Sequence, residues 1–254
     1  MSVRRLPNEQ ELMPFAAGFP PGRRWLVLAP HPDDELLTVG ATLRLAHERG
    51  VALRIVIVTD GGAQGDASVR EREALGAAEA LGTPAPVFWR LGDRSLDPRD
   101  ASLRGAIRHE LDSWAADSVL VTSPVELHPD HRALALALRR VVRRRSAWGR
   151  KAKLPEWVVA YEVATPLLPS CLVAADAVWE VKRRAAQCYA SQLGFRPYDR
   201  VMEAMGTLRA LTLTGCEHAE AFHVVSARSL ARMSPRRWAA AMGCPAGVRW
   251  RRQG

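Results

Sequence analysis

His31-Pro32-Asp33-Asp34-Glu35 sets an imidazole beside two adjacent aspartates, directly after the apolar run Trp25-Leu26-Val27-Leu28-Ala29. A second cluster, His128-Pro129-Asp130-His131, follows another apolar run, Val119-Leu120-Val121. Apolar runs of this length read as buried strands, and in parallel α/β sheets ligands gather beyond the carboxyl ends of the strands. Both clusters would then meet at one place. Catalytic zinc commonly takes three protein ligands from His and carboxylate and keeps a fourth position for water. His31, Asp34 and His131 supply that set. Asp33 remains as a free carboxylate suited to a general base. His128 is a second imidazole that could stabilise an oxyanion or protonate a leaving group. Each cluster alone also has an ordinary reading: His-Pro-Asp closing a strand with an Asx-type turn, or Asp34 capping a helix that starts near Glu35. Two clusters, each after a strand and each with His and Asp, favour a metal site with one ion per chain. Zn²⁺ is expected, although a His₂Asp set also accepts Fe²⁺, Co²⁺ or Mn²⁺.

The elements that must position these residues alternate. Strands are predicted at 25–29, 51–58, 87–89, 119–122 and 157–161. Helices are predicted at 36–48, 68–81, 103–114 and 132–145, with a glycine-rich loop at 59–66. Strand–helix alternation at this spacing predicts an α/β, Rossmann-like fold, in which a mostly parallel sheet carries helices on both faces as a three-layer αβα sandwich. Beyond Thr165 the pattern is less regular, with a helix expected around 177–191 and a late strand at 222–225. The chain reads as a single domain over 1–254, with a loosely held extension at 1–20 and a basic C-terminal segment at 226–254.

Composition narrows the class. The chain has 254 residues, 48% of them hydrophobic, and no apolar stretch approaches the roughly 20 residues of a membrane span. The first 24 residues lack an apolar core of the signal-peptide type, so a cytoplasmic protein is expected. Cys171, Cys188, Cys216 and Cys244 are widely spaced and suggest buried thiols rather than disulfides or a cysteine metal cluster. The net charge is +9, yet only three of the 36 basic residues, Lys151, Lys153 and Lys182, are lysines. That arginine bias is what a GC-rich genome produces. The cluster Arg139, Arg140, Arg143, Arg144 and Arg145 and the tail Arg249, Arg251 and Arg252 therefore read as solvated surfaces. A nucleic-acid-binding role would leave both His/Asp clusters unexplained, and no aromatic residues interleave with the arginines.

The chain resembles the PIG-L/LmbE-like family of zinc-dependent N-acetylglucosaminide deacetylases. Ala29-Pro30-His31-Pro32-Asp33-Asp34-Glu35 is similar to the family's opening signature, followed by Gly40 and by Thr59-Asp60-Gly61-Gly62. Arg70-Glu71-Arg72-Glu73-Ala74, ending at Leu81-Gly82, resembles its next helix, and His128-Pro129-Asp130-His131 its second signature. Lys182, Tyr189, Ser191 and Gln192, then Glu220-Ala221-Phe222, match weaker late segments.

The resemblance implies zinc on His31, Asp34 and His131, Asp33 as general base, and His128 stabilising the intermediate. It further implies that Asp130 orients an imidazole. Arg70 would reach substrate, or else form a helix-surface ion pair with Glu73. Asp93 would hold sugar hydroxyls, or else serve a turn. Glu126 stands where some relatives that act on small glycosides carry a tyrosine, which would put a carboxylate on the sugar-facing wall. The expected function is removal of an N-acetyl group from a GlcNAc-type amino-sugar conjugate. The alternative is a zinc-dependent amidase for another acyl-amide, such as a lipopeptide or glycan intermediate. The expected partner is a small amino-sugar conjugate, with an anionic character and a homo-oligomer both left open.

Overall fold

The computed structural model describes residues 15–147, 154–213 and 215–243. In chain order the elements are β1 (Ala16–Ala17), β2 (Arg24–Ala29), α1 (Asp34–Leu37), α2 (Gly40–Glu48), β3 (Ala52–Thr59), α3 (Ala67–Leu81), β4 (Val87–Leu91), α4 (Ala101–Trp114), β5 (Ser118–Thr122) and α5 (Pro129–Ala147). They continue with β6 (Trp157–Tyr161), β7 (Cys171–Ala174), α6 (Asp176–Ala186), α7 (Ala190–Leu193), α8 (Tyr198–Ala210), β8 (Ala219–Ser226), α9 (Ala227–Arg232) and α10 (Pro235–Ala241). The strands form one sheet in the order β1-β7-β8-β6-β5-β2-β3-β4. Only β8 runs against the others, pairing antiparallel with β6 and β7. This is the mostly parallel α/β architecture that the alternation predicted.

Why the strands bury is plain from their residues. Leu26, Leu28, Val56, Val58, Val119 and Val121 face one layer with Leu103, Ile107, Leu134 and Leu138 of α4 and α5. Val27, Ile55, Leu120 and Val159 face the other with Val39 and Leu43, at the start of and within α2. A strand buried on both faces needs apolar residues at every position, not at alternate ones. The first strand β2 has β3 on one side and β5 on the other, both parallel to it. That reversal of strand order opens a crevice at the carboxyl ends of β2 and β5.

Three expectations need correction. The helix expected over 36–48 is two helices, interrupted at Thr38-Val39. The cause is Glu220 of β8: its two carboxylate oxygens accept the Ala41 and Thr42 backbone N–H at 2.9 and 2.7 Å, which gives α2 a separate start. The helix expected over 177–191 stops at Ala186, and the turn at Tyr189 that follows sends its side chain inward. The extension over 1–20 is not loose at its end. Ala16–Ala17 adds a parallel strand to β7. Residues 1–14, Lys151, Lys153, Cys244 and the Arg249, Arg251 and Arg252 tail lie outside the described residues.

Glu220 also meets Lys182 of α6 at 2.8 Å, both side chains being almost wholly buried. A buried charge left without its partner is costly, at about 3–5 kcal/mol. Lys182→Met should therefore lower the unfolding free energy by roughly 3 kcal/mol, measured by urea titration.

Candidate active site

His31 leaves β2 between two prolines, and a residue before proline is disfavoured in the helical region. Its position is pinned from β3: Thr59 donates to the Pro30 carbonyl through its backbone N–H at 2.9 Å and its hydroxyl at 2.8 Å. His131 lies in the first turn of α5, two residues after Pro129, and Pro at a helix start has no N–H to leave unsatisfied. The Thr122 hydroxyl, at the end of β5, donates to the His131 carbonyl at 3.0 Å.

These anchors bring three ring and carboxylate atoms together. His31 Nδ1 lies 3.2 Å from Asp34 Oδ2, His131 Nε2 lies 3.2 Å from the same oxygen, and the two nitrogens are 3.1 Å apart. Hydrogen bonds alone do not account for this triangle. His31 Nε2 sits between Asp93 Oδ1 at 3.1 Å and Asp130 Oδ2 at 3.3 Å, so it carries the ring proton. His131 Nδ1 faces Glu126 Oε2 at 3.8 Å and has no hydrogen-bond partner. With protons on those outer nitrogens, both inner nitrogens present lone pairs to each other and to a carboxylate oxygen. Three acceptors converging in a buried site call for a cation. A tetrahedral ion with bonds of about 2.0 Å spaces neighbouring ligand atoms by roughly 3.3 Å, which these separations fit. Two wider trios, His31 with His128 and His131 and His31 with Asp93 and Asp130, also gather donor atoms within 4.8 Å. The second trio consists of the outer His31 nitrogen and its carboxylate partners.

With only protons to fill it, the site is strongly polarised. Burial raises the cost of ionising Asp34, but the imidazoles of His131 and His31 hold its carboxyl far below the usual range. Burial also works against charge on His131, yet Asp34 outweighs it and pushes the ring up to about 9. Asp34 therefore spends its oxygen on the two imidazoles and on the His31 N–H at 3.1 Å, not on capping a helix.

Asp33 holds a left-handed backbone, φ 125°, which a non-glycine residue adopts only when its surroundings enforce it. Two contacts do so. Its N–H donates to Glu35 Oε2 at 3.1 Å, while the Tyr189 hydroxyl donates to the other Glu35 oxygen. Arg70 of α3 donates to Asp33 Oδ2 at 3.2 Å and to the Pro32 carbonyl at 2.6 Å. Burial and the neighbouring Asp34 charge still push the Asp33 carboxyl up to about 8, with Arg70 and His31 pulling the other way.

His128 is half-buried. Its ring stands edge-on to His31, with centroids 4.6 Å apart. Its Nδ1 accepts the Asp130 N–H at 3.3 Å, leaving Nε2 as the protonated, donating nitrogen. Burial, His31 and His131 lower its pKa, so the ring is neutral.

The other expected residues do different work. Arg70 is buried and holds Asp33, and its guanidinium also donates to the Gly61 carbonyl at 2.9 Å. Gly61 has φ 65°, and a Cβ there would collide with that guanidinium. The surface pair with Glu73 does not form; Glu73 instead accepts the N–H and hydroxyl of Ser191. Asp93 engages both oxygens within the protein, one with His31 Nε2 and the other with the Ala63 N–H at 3.1 Å. Glu126 is no part of a sugar-facing wall. It is buried and accepts the backbone N–H of Val163, Ala164 and Thr165. Asp130 lies against His31 and also holds the Arg94 and Leu96 N–H groups at 2.6 and 3.1 Å.

Residues 26–142 match the family described as PIG-L, GlcNAc-PI de-N-acetylase. Over that segment the chain is similar to the PIG-L/LmbE-like family. The probable N-acetyl-alpha-D-glucosaminyl L-malate deacetylase 2 of Bacillus cereus is 28% identical over 136 residues. That match covers 48% of this chain and 62% of the relative, so it spans less than two thirds of that protein. A conserved protein from Thermus thermophilus superposes with a TM-score of 0.70 at 28% identity, covering 78% of this chain and 93% of its own. The N,N'-diacetylchitobiose deacetylase of Pyrococcus horikoshii gives the same TM-score at 19% identity, over 89% of this chain and 96% of its own, and shares the fold.

The sequence motifs pointed to Thr59, Tyr189, Lys182 and Glu220 without giving them work. Their roles lie in carbonyl, carboxylate and backbone contacts that spacing does not encode. Protein purified without a metal-affinity tag should carry about one zinc per chain by elemental analysis. His31→Ala and Asp34→Ala should each lose it, since a catalytic site rarely holds zinc on two ligands.

Proposed function

We propose that this chain removes an N-acetyl group from a GlcNAc-type amino-sugar conjugate by metal-assisted hydrolysis, with Zn²⁺ as the ion. The observation that carries the reading is the buried convergence of His31 Nδ1, Asp34 Oδ2 and His131 Nε2 beside the Asp33 carboxyl, which Arg70 holds. The name of the Bacillus cereus relative supports the substrate class. When bound by His31, Asp34 and His131, the ion would supply Lewis-acid polarisation of water and of the amide carbonyl.

The remaining chemistry belongs to side chains. Asp33 takes the proton of the attacking water. A carboxyl pushed up to about 8 holds that proton near neutrality and can return it to the departing amine. Arg70 keeps the carboxylate aimed and partly offsets its tendency to stay protonated. His128 donates from Nε2 to the oxygen on which negative charge develops, or gives that proton to the leaving amine. Asp130 serves both imidazoles, accepting from His31 through its carboxylate and donating its own N–H to His128.

Acetate release from N-acetylglucosamine conjugates, compared with release from simple acyl-amides, tests the reading. Asp33→Ala should lower turnover by about 10³-fold with zinc still bound, and His128→Ala by about 10²-fold. An Asp33→Ala enzyme with unchanged turnover would remove Asp33 from the chemistry. Cleavage confined to simple amides would transfer the enzyme to the amidase alternative.

A further inference from the structure

A cavity of about 440 Å³ lies beside the site, at the same end of the sheet. β8 begins at Ala219 where β6 ends, since Phe222 pairs with Tyr161 in antiparallel register. Residues 219–221 therefore stand at the carboxyl edge of the sheet, and they form one side of this cavity. The opposite side is α8. Leu37, Trp179, Tyr198, Val201, Met202 and Met205 give the wall its apolar character. The volume falls within the range of small-molecule pockets.

Two features tie the cavity to the chemistry. Leu37 and Thr38 follow directly on the turn of helix that begins with Asp34. Val163 and Ala164, also in the wall, donate their backbone N–H to Glu126, the carboxylate behind His131.

Of the charged groups in the wall, Lys182 and Glu162 are neutralised within the protein, while Arg196 is exposed and lies over the Phe195 ring, 5.5 Å from its centroid. Lys182 pairs with Glu220 at 2.8 Å, and Glu162 accepts Arg209 Nε at 2.7 Å. An occupant therefore meets apolar surface and no uncompensated charge deep in the cavity. The apolar surface continues outward at Val201, 46% exposed, with Phe195, 60% exposed, three residues before Tyr198.

We propose that this cavity receives an apolar aglycone, so that the substrate is an amphiphilic amino-sugar conjugate. The inference rests on the deacetylase reading. The acyl group in that reading is acetyl, which leaves the aglycone as the part of the substrate that can be long and apolar. Each methylene moved from water into the cavity should strengthen binding in the transition state by about threefold.

The test uses N-acetyl-β-glucosaminides with methyl, butyl and hexyl aglycones. In wild type, kcat/KM for acetate release should rise about threefold per methylene. In Met205→Trp, which fills the cavity, that rise should flatten; bound zinc and the urea midpoint report that the variant is folded. Acetate release that ignores aglycone length in wild type overturns the aglycone assignment and leaves the deacetylase reading standing. In a parallel series of the methyl glycoside carrying N-acetyl, N-butyryl and N-hexanoyl groups, a rate that climbs with acyl length instead also overturns it, and assigns the cavity to the acyl group. No acetate from any glycoside sinks the deacetylase reading. Calorimetric titration with hexyl glucoside then decides the cavity separately: binding in wild type that is lost in Met205→Trp supports an apolar glycoside site, and no binding rejects it.

Discussion

Three lone-pair-bearing atoms held about 3.2 Å apart, away from water, form an arrangement that protein alone does not stabilise. Unpaired acceptors in a buried site repel one another and lose their hydration. The rest of the molecule can be understood as the scaffold that keeps them there. Apolar strands β2 and β5 fix the two launch points, threonines at the ends of β3 and β5 hold the flanking carbonyls, and an outer ring of carboxylates fixes the orientation of each imidazole.

That outer ring has a second task. Asp130 gathers the N–H groups of 94–96, Glu126 those of 163–165, Asp93 that of Ala63, and Glu35 that of Asp33. Each carboxylate thus joins a loop to the site. The negative charge that favours a cation is the same charge that orders the loops around it. Backbone N–H donors keep these acids satisfied without a counterion for each, which leaves the net attraction directed at the centre.

Much of this was legible in the chain. Continuous apolar runs reported doubly buried strands, and the two His/Asp clusters reported the site because parallel topology sends strand ends to one edge. What escaped detection depended on tertiary contacts. A helical pattern over 36–48 cannot reveal that Glu220, 179 residues beyond Ala41, divides it. Cys171–Ala174 is too short to stand out as a strand. Arg70, Asp93 and Glu126 have residue types that suit substrate contact, and only their burial and committed hydrogen bonds show that they hold the protein's own groups instead.

The division of that helix has a consequence for the order of assembly. The turn carrying Asp34 and the helix packed on the sheet become separate units only when Glu220 arrives, and Glu220 belongs to the last of the described strands, the one that runs antiparallel. β2, β3 and β5 can pair while the C-terminal third is still unfolded, but the helix that carries Asp34 then lacks its proper break. Capture of the ion is thereby coupled to completion of the sheet, and a half-folded chain does not present a finished metal trap.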